Sequence, residues 1–167
     1  MDQGRVGLGG DSAGGNLSVV ISNEQALKGG HMPKAQLLYY PFVDGDNAKY
    51  SSYDLFGDGY GLDKDFIQMA TELLLEKPSD ANHKWLNLND TVQFKSQPAT
   101  ILATAGFDPI RDQGRVFAEK LKSAGVDVTY HHYASLNHGF LESSYVIDDA
   151  EKACFETARM MGALLRK

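Results

Sequence analysis

The sequence predicts an α/β fold, with about four parallel strands in one sheet and helices on its faces. Three observations lead there. Strand-like and helix-like segments alternate through four rounds along the 167 residues, the order that a parallel sheet with crossover helices produces. The run Ala99-Thr100-Ile101-Leu102-Ala103-Thr104 is almost continuous in apolar and β-branched residues, as a strand covered on both sides should be. The stretch Leu8-Gly9-Gly10-Asp11-Ser12-Ala13-Gly14 reads as a strand turning sharply into a helix.

Each element follows from its own pattern. Arg5-Val6-Gly7-Leu8-Gly9 is the first strand. Leu17, Val20, Ile21 and Leu27 then recur at helical spacing, and Gly29-Gly30 is the stop signal. Ala35 to Tyr40 is the second strand, closed by Pro41, and residues 44–61, rich in Asp, Gly, Ser and Tyr, read as a surface excursion. Asp63 is placed to cap a helix whose apolar face is Phe66, Ile67, Ala70, Leu73 and Leu74, with Pro78 just past its end. Residues 79–97 read as irregular, with Trp85 and Leu88 packed down. The strand at 99–104 follows, then a helix from Ile110 to Ala124 with Val116, Phe117 and Leu121 inward and Gly125 as its stop. Val126 to Tyr133 is the fourth strand. Val146, Ala150, Ala153, Cys154, Ala158, Met161, Leu164 and Leu165 mark a terminal amphipathic helix.

Composition narrows the partners. Hydrophobic content of 43% and charged content of 23% suit a globular chain, here a single domain over residues 1–167 with a substantial core. A net charge of −6 without any Lys/Arg cluster argues against nucleic acid or an anionic membrane as partner. The chain has one cysteine, so no internal disulfide can form; Cys154 is expected to be a buried structural thiol on the last helix. With no membrane-length apolar run and no basic-then-apolar leader, a cytoplasmic location is the default expectation.

The chemistry centres on Gly10-Asp11-Ser12-Ala13-Gly14, which fits G-x-S-x-G, the tight strand-to-helix turn that lifts a serine oxygen clear of the backbone. The glycines on either side are expected because side chains there would collide with the neighbouring strand and helix. A serine hydroxyl is a poor nucleophile until a neutral imidazole takes its proton, and an acid must hold that imidazole in the right tautomer. On this architecture the order is Ser, acid, His, each at a strand's C-terminal end. Asp108 follows the third strand, and Pro109 biases it away from helical geometry; His138 follows the fourth, before Gly139. Ser12, Asp108 and His138 are therefore the catalytic candidates. The N–H of Ala13 would donate to the oxyanion, with Gly10 and Asp11 beside it lining the same oxyanion and substrate site. No cofactor or metal enters this chemistry, and the single cysteine and five histidines show no zinc-ligand spacing. Among rivals, Asp112 suits a helix's first turn, His131 and His132 lie within a strand and read as structural, and His31 and His83 read as solvent-facing. The glycines at 7, 9, 10, 14 and 15 lack the Lys-Ser/Thr of a phosphate loop.

Together, Gly10-Asp11-Ser12-Ala13-Gly14-Gly15-Asn16-Leu17, Asp108-Pro109-Ile110-Arg111-Asp112-Gln113-Gly114 and His138-Gly139-Phe140 resemble the hormone-sensitive-lipase-like group of α/β-hydrolase carboxylesterases. Gly59-Tyr60-Gly61-Leu62 and Ser79-Asp80-Ala81-Asn82 fit the same pattern. The resemblance implies that Ser12 is the nucleophile, Asp108 the acid and His138 the base of an enzyme cleaving short-chain acyl esters. Members of that group carry further N-terminal strands, a helical cap and a His-Gly-Gly-Gly oxyanion loop that this sequence lacks. The expectation is thus a partial α/β-hydrolase fold, truncated at the N-terminus, whose bare edge strand favours a homo-oligomer. A weakly active or inactive scaffold or ligand-binding unit is the alternative, and an amidase or peptidase would use the same triad.

Overall fold

The computed structural model describes residues 2–75 and 83–166. Four strands run parallel in the order β1 (Gly7–Asp11), β2 (Ala35–Tyr39), β3 (Ala99–Phe107) and β4 (Val128–Asn137). Between and after them lie α1 (Ala13–Lys28), α2 (Ser51–Phe56), α3 (Lys64–Leu74), α4 (Leu88–Thr91), α5 (Arg111–Ser123) and α6 (Asp148–Arg166). Alternation along the strands divides the core in two. Leu37, Tyr39, Ile101 and Ala103 point to the face covered by Ala150 and Ala153 of α6. Leu38 and Leu102 point to the other, packed with Val19 of α1 and Phe117, Ala118 and Leu121 of α5.

Several boundaries and faces differ from the sequence expectation. β1 sits two residues further on than expected, and β4 starts at Val128 and runs to Asn137. β3 continues past Thr104 to Phe107 through a register irregularity, where Gly106 lets the Ala134 carbonyl approach to 2.1 Å of where a Cβ would stand. Leu17, Ile21 and Leu27 are exposed on α1, which instead buries Gly15, Ser18, Val19, Ser22 and Asn23. That face of small and polar groups lets the helix lie close to the sheet, where Ser22 Oγ donates to Gln36 Oε1 at 3.3 Å. Gly29 ends α1 in the left-handed conformation, its N–H reaching Ala26 and Gln25 carbonyls.

Asp63 occupies the N-cap position of α3, but its carboxylate accepts from Gly59 N rather than from the helix. Of the apolar face of α3 only Ile67 is buried; Phe66, Leu73 and Leu74 are exposed. Leu88 is buried as expected, whereas Trp85 is half open, its indole N–H bonded to Glu24. The 44–61 segment is more than a surface excursion: it contains α2, and its own Asp44, Asn47 and Ser52 are buried. α6 begins at Asp148, leaving Val146 exposed, and Ala158 also faces outward. Cys154 is half-buried rather than buried, with burial pushing its thiol up from the usual value. Pro78 and Ser79-Asp80-Ala81-Asn82 lie outside the described residues.

Candidate active site

Ser12 sits between β1 and α1 with φ +50°, a conformation that a side chain adopts only under constraint. Its own backbone supplies that constraint: Ser12 N donates to Tyr39 O at 2.9 Å, and Ser12 O accepts from Phe42 N at 3.1 Å and Asn16 N at 3.2 Å. Gly10 is sterically required, since a Cβ there would lie 2.3 Å from the backbone of Gly14. Gly14 itself is not: its Cβ would meet only Asp11 Oδ1, at 3.8 Å. The second tight position is Gly15, where a Cβ would stand 2.7 Å from Pro41 Cβ. Asn16 locks the helix start by donating through Nδ2 to the carbonyls of Phe42 and Trp85, at 3.0 and 2.9 Å.

Asp108 leaves β3 fully buried, with Oδ1 accepting from Ile110 N at 2.9 Å. Its other oxygen, Oδ2, lies 2.9 Å from His138 Nδ1. His138 follows β4 directly, and Gly139, at φ +80°, turns the chain back beneath it. The opposite imidazole nitrogen, Nε2, lies 3.1 Å from Ser12 Oγ. With a carboxylate on the Nδ1 side, the proton of a neutral imidazole belongs on Nδ1, and the Nε2 lone pair faces the serine hydroxyl. Three residues 126 positions apart at their extremes thus form one continuous relay. The arrangement can move a proton from the hydroxyl to the imidazole while the carboxylate steadies the cation that forms.

The other sequence candidates fall around this relay. Ala13 is the exposed first residue of α1, where a helix leaves its N–H groups without intrahelical partners and the macrodipole is positive. Gly10 is half-buried and Asp11 exposed at the end of β1. Beside Ala13 opens a cavity of about 570 Å³, walled by Leu17 and Val20 of α1, Phe42, Trp85 and Leu86. Asp112 does stand in the first turn of α5, where Oδ2 accepts from Ser52 N at 3.0 Å. His132 Nδ1 lies 3.2 Å from Thr104 Oγ1, and His131 stacks on Tyr133 toward Glu156 of α6. Burial, assisted by the charge of Arg111, holds His132 below the usual histidine value, with Asp112 opposing. His31 and His83 are exposed.

Three supporting residues escaped the sequence reading. Ser52 and Asp112 clasp reciprocally, Asp112 N donating to Ser52 Oγ at 3.1 Å, while Ser52 Oγ donates to Pro109 O at 2.9 Å and so braces the loop of Asp108. Buried Gln113 accepts through Oε1 from Val43 N and Asp44 N, at 2.6 and 2.8 Å, fixing the segment after β2. Tyr40, at the end of β2, packs its ring on His138. Gln113 stands within the Asp108–Gly114 motif and Tyr40 directly before Pro41, but neither position marks its role by itself.

Among the described residues no helix is long and apolar enough to cross a membrane. A family described by the alpha/beta hydrolase fold matches residues 1–142. The carboxylic ester hydrolase LipN of Mycobacterium tuberculosis is 38% identical over 143 residues, 83% of this chain and 38% of that protein. Carboxylesterase NlhH of Mycobacterium tuberculosis is 31% identical over 168 residues, 99% of this chain and 51% of that one. A mutant of LAE6, an alpha/beta hydrolase enzyme from the metagenome of Lake Arreo, Spain, superposes with a TM-score of 0.91 at 32% identity, covering 98% of this chain and 51% of that chain. The chain spans about half the length, or less, of these relatives. With the match extending over residues 1–142 of 167, the chain belongs to the alpha/beta hydrolase family.

Proposed function

We propose that this chain carries the active site of a serine carboxylic-ester hydrolase, cleaving short-chain acyl esters through an acyl-enzyme, with Ser12 as nucleophile, His138 as base and Asp108 as its orienting acid. One observation carries the reading: the relay from Ser12 Oγ to His138 and on to Asp108, at 3.1 and 2.9 Å, ends on a carboxylate wholly removed from water. In the proposed reaction Ser12 Oγ bonds to the ester carbonyl carbon as its proton passes to His138 Nε2. The carbonyl oxygen takes the negative charge and receives N–H donors, that of Ala13 among them. The intermediate collapses by breaking the bond to the alkoxy oxygen, which leaves as alcohol with the proton from His138. Water then attacks the acyl carbon, His138 again taking and returning one proton, and the acid departs with Ser12 restored.

The esterase names of the relatives support the same reaction class. The competing reading, a scaffold or ligand-binding unit that turns over little or no ester, draws on the chain spanning about half the length of those relatives. Turnover of an activated acetate ester separates the two. The proposal expects hydrolysis that Ser12→Ala and His138→Ala abolish; hydrolysis unaffected by Ser12→Ala refutes it. Association belongs to the same reading: β1 pairs only with β2 among the described strands, and an open strand edge favours pairing with a second copy of the chain. Gel filtration should give a homo-oligomer, and a monomer at every concentration refutes that part.

A further inference from the structure

Tyr40 is one of two non-glycine residues with positive φ among those described, and the other is Ser12. Its φ of +34° is doubly unfavourable, because Pro41 follows and restricts the preceding residue to extended backbone. A strained residue held by its surroundings is a pointer to function. Here the surroundings are explicit. Tyr40 N donates to Ala103 O at 2.6 Å, and the residues on either side of the Tyr40-Pro41 pair bond the backbone of Ser12. The reversal at Tyr40 therefore sits against the serine turn, and it aims the fully buried ring at His138. The ring centroids of Tyr40 and His138 are 4.6 Å apart at an interplanar angle of 55°. The same ring meets Phe140 at 5.0 Å, edge-on, and the Tyr40 hydroxyl accepts from Leu141 N at 3.4 Å.

The geometry points to Tyr40 as a positioning residue that fixes the tilt of the His138 imidazole. The need for one is geometric. Asp108 and Ser12 hold the two ring nitrogens, but these are in a 1,3 relation, so neither hydrogen bond lies along the line joining them. A tilt about that line swings the Nδ1–H off Asp108 and the Nε2 lone pair off Ser12 together. A group packed against the imidazole resists this motion, and the Tyr40 ring, with its centroid 4.6 Å away, is such a group. The kinetic consequence rests on the ester-hydrolase reading; the ring placement does not.

The test compares Tyr40→Leu, which removes the aromatic face, with Tyr40→Phe, which keeps it and gives up only the long bond from Leu141. With an activated acetate ester, Tyr40→Leu is expected to lose about 10- to 100-fold in kcat, a loss typical of small misplacement of a reacting group, with KM nearly unchanged. Tyr40→Phe is expected to recover most of kcat. Nuclear magnetic resonance gives a readout independent of turnover: a downfield Nδ1–H signal of His138 present in wild type and Tyr40→Phe and broadened away in Tyr40→Leu. In the unmutated chain, Tyr40 ring protons should show cross-peaks to the imidazole C–H protons, which keeps the proposal testable even if Tyr40→Leu does not fold. Absent cross-peaks, or a folded Tyr40→Leu with wild-type kcat and an intact Nδ1–H signal, overturn the inference. Wild-type protein that hydrolyses no ester while both magnetic-resonance signatures hold would instead sink the ester-hydrolase reading and leave the positioning role standing.

Discussion

Replacing Asp108 by Asn probes the relay at the point where its geometry is most constrained. The carboxylate is fully buried and accepts from two N–H groups, Ile110 N on Oδ1 and the imidazole on Oδ2. An amide of the same shape has one acceptor. If its oxygen stays with Ile110, its NH₂ faces His138 Nδ1, which must then accept; the imidazole proton moves to Nε2 and can no longer take one from Ser12. The flipped amide restores the tautomer but sets an NH₂ against Ile110 N–H, leaving a buried donor unmet at a cost of about 1–3 kcal/mol. The unflipped, wrong-tautomer form therefore dominates, and restoring the working tautomer through the flip costs about 5- to 160-fold in kcat at 1.36 kcal/mol per decade. An amide also carries no charge to steady the imidazolium, and the two losses together are expected to lower kcat by up to about 10⁴-fold. The assay is steady-state hydrolysis of an activated acetate ester, with thermal unfolding to establish that Asp108→Asn is folded. A folded variant within about twofold of wild-type kcat would refute both the tautomer argument and the charge argument.

Two further outcomes follow from the same contacts. Gly10→Ala puts a Cβ 2.3 Å from the Gly14 backbone, so it is expected to lose at least about 2 kcal/mol of stability; chemical denaturation checks this, and Gly14→Ala, with 3.8 Å of room, is expected to lose less. His132 is held below its ordinary value by burial, so below about pH 6.5 the unfolded chain binds more protons than the folded one. That contribution is complete above the unfolded value and is lost as the pH falls toward the folded one, so wild type should lose more stability between pH 7.5 and 5.5 than His132→Asn does, as denaturant midpoints would record.

The parts of the fold legible in the sequence are those where chemistry or sterics leaves few choices. Gly10 must be bare because backbone passes where its side chain would be, and the proposed acid and base follow strands because the strand ends are where the chain reaches the serine turn. Helical spacing, by contrast, is indifferent to which face is buried. Leu17 and Ile21 have the period of a core stripe, yet α1 turns Ser18, Ser22 and Asn23 inward, where Ser22 donates to buried Gln36; spacing alone does not say which stripe meets the sheet. Glycine spacing also misled in one detail, because the close neighbour, Pro41, faces Gly15 rather than Gly14. The Ser52–Asp112 clasp joins residues 60 apart, and neither residue type at that distance carries a local pattern. Tyr40 was hidden for a different reason: a pre-proline tyrosine promises extended backbone, and only the tertiary contacts around Ser12 and His138 force it out of that conformation.

The proposed activation of Ser12 is open to direct measurement through reaction of the folded chain with a fluorophosphonate, followed by intact mass and peptide mapping. One adduct per chain is expected, on the peptide holding Ser12, absent in Ser12→Ala and formed far more slowly in His138→Ala. Folded protein that stays unmodified, or that takes up the label equally well after Ser12→Ala, would contradict it.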